Sequence, residues 1–182
     1  MTHSIDLRTS GLLGVGQDAV AMLRNAMLQD MGGNAAGYLQ QAGYAGGDAV
    51  YDAFARWLAD QRLPAPESLD VPAFAVHASR FFADLGWGSV EFSGGAKLAT
   101  LDSRDWVEAT GSPDLGYPGC HVGTGLLAAF FGRLADQPLA VMEVECRSAG
   151  ASRCRFLLGS AEEMQRVWEG MAEGSSYEEL IG

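Results

Sequence analysis

Apolar residues recur at three- and four-residue steps through the first half of the chain, and the period changes to two after Gly86. From Gln17 to Met31, Val20, Leu23, Met27, Leu28 and Met31 form one apolar stripe, which predicts a helix stopped by Gly32-Gly33. A second helix is predicted over Asn34–Gln61, with Leu39, Ala42, Ala49, Val50, Ala53, Phe54, Trp57 and Leu58 on its stripe. Gly43 and Gly47 lie on it too, where each costs ~1 kcal/mol relative to alanine. Their expected use is close approach of another backbone, from this chain or from a second copy. The two helices suit a dimer surface and an intramolecular core equally well. Residues 62–69, with Pro64, Pro66 and Glu67, read as a linker. Asp70 is the expected cap of a third helix, with Pro72 in its first turn. That helix buries Phe74, Ala78, Phe81, Phe82 and Leu85, and Gly86 ends it.

Gly88–Phe92 and Ala96–Leu101 then flank Ser93-Gly94-Gly95 as a hairpin. Residues 102–119 are loop-rich, with Trp106 and Tyr117 as their aromatic residues. A helix opening at Pro118 carries Leu127, Phe130, Phe131 and Leu134. Leu139–Arg147 is a strong strand, apolar on both faces in its first half, which predicts a central position. Residues 148–151 turn the chain into Ser152–Leu158, and Ser160 with Glu163 forms a capping box. The last helix runs on through Met164, Val167, Trp168 and Met171. Both strand pairs are joined by turns too short for parallel crossovers. The predicted class is therefore α+β, an antiparallel sheet of two hairpins packed with helices and preceded by long N-terminal helices. The 182 residues suit a single domain, with N-terminal helices over 1–62 and an α+β core over 70–182.

Composition narrows the function classes. With 48% hydrophobic and 19% charged residues, a buried core is feasible and intrinsic disorder is disfavoured. The net charge of −11 repels phosphate backbones and anionic lipid, so neither nucleic acid nor membrane is an expected partner. Met1–Arg8 lacks the apolar run of a signal peptide, and no stretch approaches the ~18 apolar residues of a membrane span. The expected location is the cytoplasm.

Three cysteines is an odd number for a disulfide framework, and all three fall between Cys120 and Cys154. Cys146 and Cys154 sit on the two arms of the second hairpin, a natural half of a tetrahedral zinc site. Cys120 is near a helix start, where the dipole and free N–H groups stabilise a thiolate. Glu143 and Glu145 are the nearest oxygen ligands and His121 the nearest nitrogen ligand. The same three thiols also suit small buried hydrophobes. The histidines are His3, His77 and His121, and only the last adjoins a cysteine. Neighbours at a helix start point different ways, so a Cys120/His121 dyad is not expected.

The run Glu143-Val144-Glu145-Cys146-Arg147-Ser148-Ala149-Gly150, ending in Cys154-Arg155-Phe156, resembles the signature of the vinyl-4-reductase domain family. Cys120 stands where that family places its upstream cysteine, followed by Gly123, Gly125 and Phe131-Gly132-Arg133. The family includes sensor domains of phenol- and xylene-responsive bacterial activators, and stand-alone proteins. Its fold is similar to that of core subunits of transport-particle tethering complexes. The phenol-sensor branch binds zinc through a cysteine, a glutamate and two further cysteines. The resemblance puts those roles on Cys120, Glu143, Cys146 and Cys154. In a regular strand Glu143 and Cys146 point to opposite faces, so coordination by both requires a bulge or a strand ending near Glu145. Glu145, water or another residue is otherwise the fourth ligand.

A zinc with four protein ligands is closed, which makes it structural rather than catalytic. Function then belongs to an apolar cavity. The resemblance implies a closed pocket for a small hydrophobic or aromatic ligand, with Phe74, His77, Phe81, Trp87, Trp106, Tyr117 and Phe130 as candidate contacts. Phe82 and Phe131 share the pattern, and core packing is the bland reading for all these rings. No phosphate-binding loop or helix-turn-helix is present, and Gly11, Gly14 and Gly16 have the wrong spacing for a dinucleotide fingerprint. The chain therefore reads as a binding or sensing domain without its own output, with an enzyme left open as the less favoured reading. Two other readings stand beside it: an accessory or carrier in tetrapyrrole (bacteriochlorophyll) vinyl reduction, and a dimeric assembly protein. A homodimer is expected in each.

Overall fold

The computed structural model describes residues 5, 7, 9–95, 98–109 and 116–181. His3, most of Met1–Arg8, Ala96 at the start of the expected second strand and residues 110–115 of the loop-rich segment lie outside the described residues. Helix α1 (Gln17–Met31) and helix α2 (Asn34–Asp60) come first, and a 3-10 turn at Pro66–Ser68 leads to helix α3 (Val71–Leu85). Strands β1 (Glu91–Gly94) and β2 (Ala99–Ser103), helix α4 (His121–Leu134), and strands β3 (Ala140–Glu145) and β4 (Cys154–Gly159) follow. Helices α5 (Ala161–Ala172) and α6 (Tyr177–Ile181) close the chain.

Local chemistry sets these boundaries. The Asp70 side chain accepts from the Ala73 N–H at 2.8 Å, and Gly86 takes the left-handed φ of 91° that ends α3. Ser160 accepts from the Glu163 N–H at 3.2 Å to start α5. The helix α6 has no counterpart among the expected elements; five residues give too little periodicity to read.

The strands form one antiparallel sheet in the order β1-β2-β4-β3. Helices α2, α3 and α4 cover one face, where Phe54, Phe81, Phe82, Leu101, Phe130 and Phe156 pack together. Helices α5 and α6 cover the other, over Leu98, Leu157, Met164, Val167 and Tyr177. This arrangement corrects the expected place of Leu139–Arg147, because β3 is an edge strand and β4 is central. Its apolar residues on both faces have another cause. Val141 packs towards the α2–α4 side, while Ala140 and Met142 pack towards α5 and α6. Helices on both sides of a sheet make an edge strand two-faced as readily as a central one.

Close backbone approach explains the glycines of α2. An added Cβ at Gly43 would sit 2.0 Å from the Val122 carbonyl oxygen, and one at Gly47 2.3 Å from Ala129 Cβ. Gly125 of α4 reciprocates, its Cβ falling 1.9 Å from Gln40 O. The partner backbone is therefore in this chain.

The stripe expected on α1 requires correction. Val20, Leu23 and Met31 are exposed, Met27 and Leu28 are half-buried, and Arg24 is the buried residue of the helix. Periodicity identified the helix but not the face that docks, because a buried polar contact orients it instead.

Candidate metal centre and its surroundings

Four side chains from three elements converge beneath the start of α4. Cys120 caps the helix, Glu143 lies on β3, Cys146 follows β3 and Cys154 opens β4. Their ligand atoms all lie within 4.8 Å of one another. The Cys120 sulfur is 3.6 Å from that of Cys146 and 3.8 Å from that of Cys154. Two thiolates on one tetrahedral zinc, at Zn–S of ~2.3 Å, stand about 3.8 Å apart. The three cysteines are buried and unbridged.

The parity conflict between Glu143 and Cys146 is resolved by the backbone. The β3–β4 register shifts between Glu143 and Glu145, and the strand ends there. This bulge turns Val144 and Glu145 together towards the α5–α6 side and returns Cys146 to the face of Glu143. Glu143 Oε2 accepts from the Cys120 N–H at 2.8 Å, and its Oε1 is buried without a hydrogen-bond partner among the described residues. A lone carboxylate oxygen beside three sulfurs fits a cation well. Glu145 is engaged elsewhere: Arg153 donates to it at 2.8 and 2.9 Å, and the Tyr177 hydroxyl also donates to it. These bonds, led by that from Arg153, hold its carboxyl below the usual range. His121 is outside the four-residue cluster, and burial lowers its pKa.

Electrostatics mark the cluster as a place where more than one negative charge is disfavoured while no cation is present. Burial pushes Cys120 well up, whereas hydrogen bonds from Cys120, Cys154 and Ser148 hold Cys146 far down as the thiolate. Burial, then the charge of Cys146, pushes Glu143 up to about 8. A divalent cation would relieve this crowding, since its charge favours every deprotonated ligand at once.

Next to the cluster stands Glu108, a residue the sequence did not single out. Its two carboxylate oxygens accept from the Val122 and Gly123 N–H groups at 2.8 and 2.7 Å, at the start of α4. The buried Arg24 of α1 donates to the Glu108 carbonyl oxygen and, at 3.0 Å, to Asn25 Oδ1. Burial pushes Glu108 up to about 7. An acidic residue in a loop and an arginine in a polar helix give no sequence signal, since surface residues of both kinds are common.

The ring residues expected around a ligand are mostly packed on one another. Phe81 lies 5.1 Å from Phe54, Phe130 5.2 Å from Phe82, and Trp106 5.4 Å from Phe156 between ring centroids. Phe74 stacks edge-on against Phe54 and Phe131. Trp87 is 5.2 Å from Trp106, half-buried His77 faces Trp57, and Tyr117 is exposed. A cavity of about 430 Å³ lies on another side of α2, and of the seven candidate contacts only Trp87 lines it.

Residues 101–160 match the model of the vinyl-4-reductase domain family, the family indicated by the cysteine signature. The phenol-responsive sensory domain of the transcription activator PoxR, solved with phenol, superposes with a TM-score of 0.65 at 17% identity. That match covers 91% of this chain and 83% of the sensory domain. A trafficking protein particle complex subunit 3 from Naegleria fowleri, covalently bound to palmitic acid, gives 0.59 at 10% identity, covering 79% and 93%. A vinyl-4-reductase family protein from Methanocaldococcus jannaschii gives 0.49 at 12% identity, covering 84% and 88%. No curated protein shows significant sequence similarity to the chain. The first two likenesses establish the α+β fold expected from the sequence. Among the described residues, no helix is long and apolar enough to cross a membrane.

Proposed function

We propose that this chain is a small-molecule-binding or sensing domain whose fold is held by one structural zinc ion. The observation that carries the metal half is the buried set of Cys120, Glu143, Cys146 and Cys154, with sulfur spacings suited to tetrahedral zinc. These four residues would hold the ion, which supplies a fixed charge and a cross-link between the start of α4 and the β3–β4 hairpin. With four protein ligands it leaves no open position, so the site is scaffold and not a hydrolytic centre. The chain's own groups support it from outside: Ser148 hydrogen-bonds Cys146 at 2.9 Å, and Glu108 secures the helix start.

Binding of a small hydrophobic or aromatic molecule is supported by the likeness to a phenol-responsive sensory domain over most of the chain. Native mass spectrometry of protein purified without added metal tests the first half, with one zinc per chain expected. Three free thiols and no metal would overturn it. Calorimetric titration with phenol tests the second, and absence of heat across phenol and its alkyl derivatives would count against sensing.

The chain also acts as a homodimer in this reading. Leu13, Val15, Val20, Met22, Leu23 and Met31 are exposed along the N-terminal segment and α1, with Tyr38 and Tyr44 on α2. A second copy covers such a face with matching apolar area.

A further inference from the structure

Helix α1 lies on the fold with little packing of its own, and Arg24 is its one buried residue. The Arg24 guanidinium donates to the Glu108 carbonyl oxygen, so the docking of α1 depends on where that carbonyl stands. A buried guanidinium deprived of an acceptor is costly, and α1 buries no other side chain to offset the loss. Glu108 is placed in turn by α4. Its carboxylate oxygens accept from the Val122 and Gly123 N–H groups at 2.8 and 2.7 Å, donors that a helix start otherwise leaves unbonded. The fit is close: an added Cβ at Gly123 would lie 2.8 Å from Trp106 Nε1 and 3.0 Å from Glu108 Oε2. Just before these residues, the Cys120 N–H donates to Glu143 Oε2, and the Cys120 sulfur meets those of Cys146 and Cys154.

We propose that this line of contacts couples the docking of α1 to occupancy of the metal centre, with Glu108 and Arg24 as positioning residues. The inference rests on the structural-zinc reading above. A bound cation gathers Cys120 with Glu143, Cys146 and Cys154, and so fixes the first turn of α4. With that turn fixed, Val122 and Gly123 hold Glu108, and its carbonyl keeps Arg24 and α1 in place. Without the cation the turn can shift, Glu108 follows it, and α1 is released about Gly32 and Gly33. Gly32 has a φ of 56°, and the two glycines join α1 to α2. Helix α1 is then the two-state element that the metal biases. By linkage, docked α1 strengthens zinc binding by the same factor that zinc strengthens docking. The effect reaches the surface, since Met22 and Leu23 of α1 are exposed.

Hydrogen exchange read by mass spectrometry tests this on the full chain, as purified with zinc and after zinc is withdrawn by excess EDTA at constant pH. Withdrawal is expected to speed exchange of the α1 amides about fivefold or more and to leave α2 and α3 within about twofold. Arg24→Ala touches no metal ligand. It is expected to give the same fast α1 with zinc bound, and withdrawal to add less than about twofold. Zinc affinity is the readout that an arginine holding α1 alone would not move. Measured by competition with a chromogenic chelator, it should fall about fivefold or more in Arg24→Ala. Asp70→Ala, which removes the cap of α3 and leaves these contacts intact, should keep zinc affinity within about twofold of wild type. Equal α1 exchange with and without zinc would overturn the coupling and leave the zinc reading in place. Loss of protection from α2 and α3 as great as that from α1 would do the same. So would zinc affinity that Arg24→Ala leaves unchanged, or that Asp70→Ala lowers equally. A chain that holds no zinc as purified would remove both the coupling and the reading it rests on.

Discussion

Single residues at the candidate metal centre carry the sharpest consequences. Cys146→Ser or Cys154→Ser leaves a buried, incomplete ligand set, and metal affinity is coupled to folding. Each variant is expected to lose most zinc and to melt roughly 10 °C lower or more, measured by metal analysis and calorimetry. Glu143→Gln should lower zinc retention against a chelator more than Glu145→Gln. Only Glu143 faces the thiols, whereas Glu145 is held by Arg153 and Tyr177. Glu108 makes stability depend on pH. Its folded pKa of about 7 lies above the usual 4.5, so between those values the native state binds more protons than the unfolded state. Stability from this group is therefore complete below pH 4.5 and lost as pH rises through 7, a contribution on the order of 3 kcal/mol. Urea titrations of Glu108→Gln should show this downward slope removed.

Among the elements, the α2–α4 crossing is the tightest joint in the molecule. Gly43 meets the Val122 carbonyl and Gly125 meets that of Gln40, so a methyl group at either position must push two helices apart. Gly43→Ala should cost about 1–3 kcal/mol or more by urea denaturation, despite alanine's better helix propensity. A gain in stability would show that the helices can separate freely. Asp70→Ala, which removes only a cap, should cost about 1 kcal/mol. The capping residues and helix stops were readable because their partners lie within four residues along the chain. The edge position of β3 was not, because strand order depends on which strand β2 selects across more than fifty residues.

The whole molecule is a sheet with helices on both faces and one further helix, α1, held against α2 and the Val107–Ala109 turn through Arg24 and little of its apolar stripe. In the proposed homodimer the exposed side of α1 is the contact face. Sedimentation should give a homodimer, and Leu23→Glu should shift it towards monomer by burying a charge in the apolar contact. A wild-type monomer at micromolar concentration would refute the dimer. The metal centre, the Glu108 bonds and the cavity all meet at the first turn of α4.

Element types, most helix ends and the four residues that gather at the cluster were legible in the chain alone, because each leaves a local periodic pattern or a family signature, whereas Ser93 and Gly94, expected in the first hairpin's turn, are paired residues of β1. Gly43 and Gly47 announced a close approach but not its partner, since periodicity describes one helix face and not what lies opposite. The bulge between Glu143 and Glu145 lies in between. The ligand set required it, and the pairing of β3 with a shorter stretch of β4 supplied it. Strand order, the burial of Arg24 and Glu108, and the place of the cavity were settled only when the elements packed. These follow from pairings between residues far apart in the chain, and an arginine and a glutamate look the same in sequence whether they face water or each other.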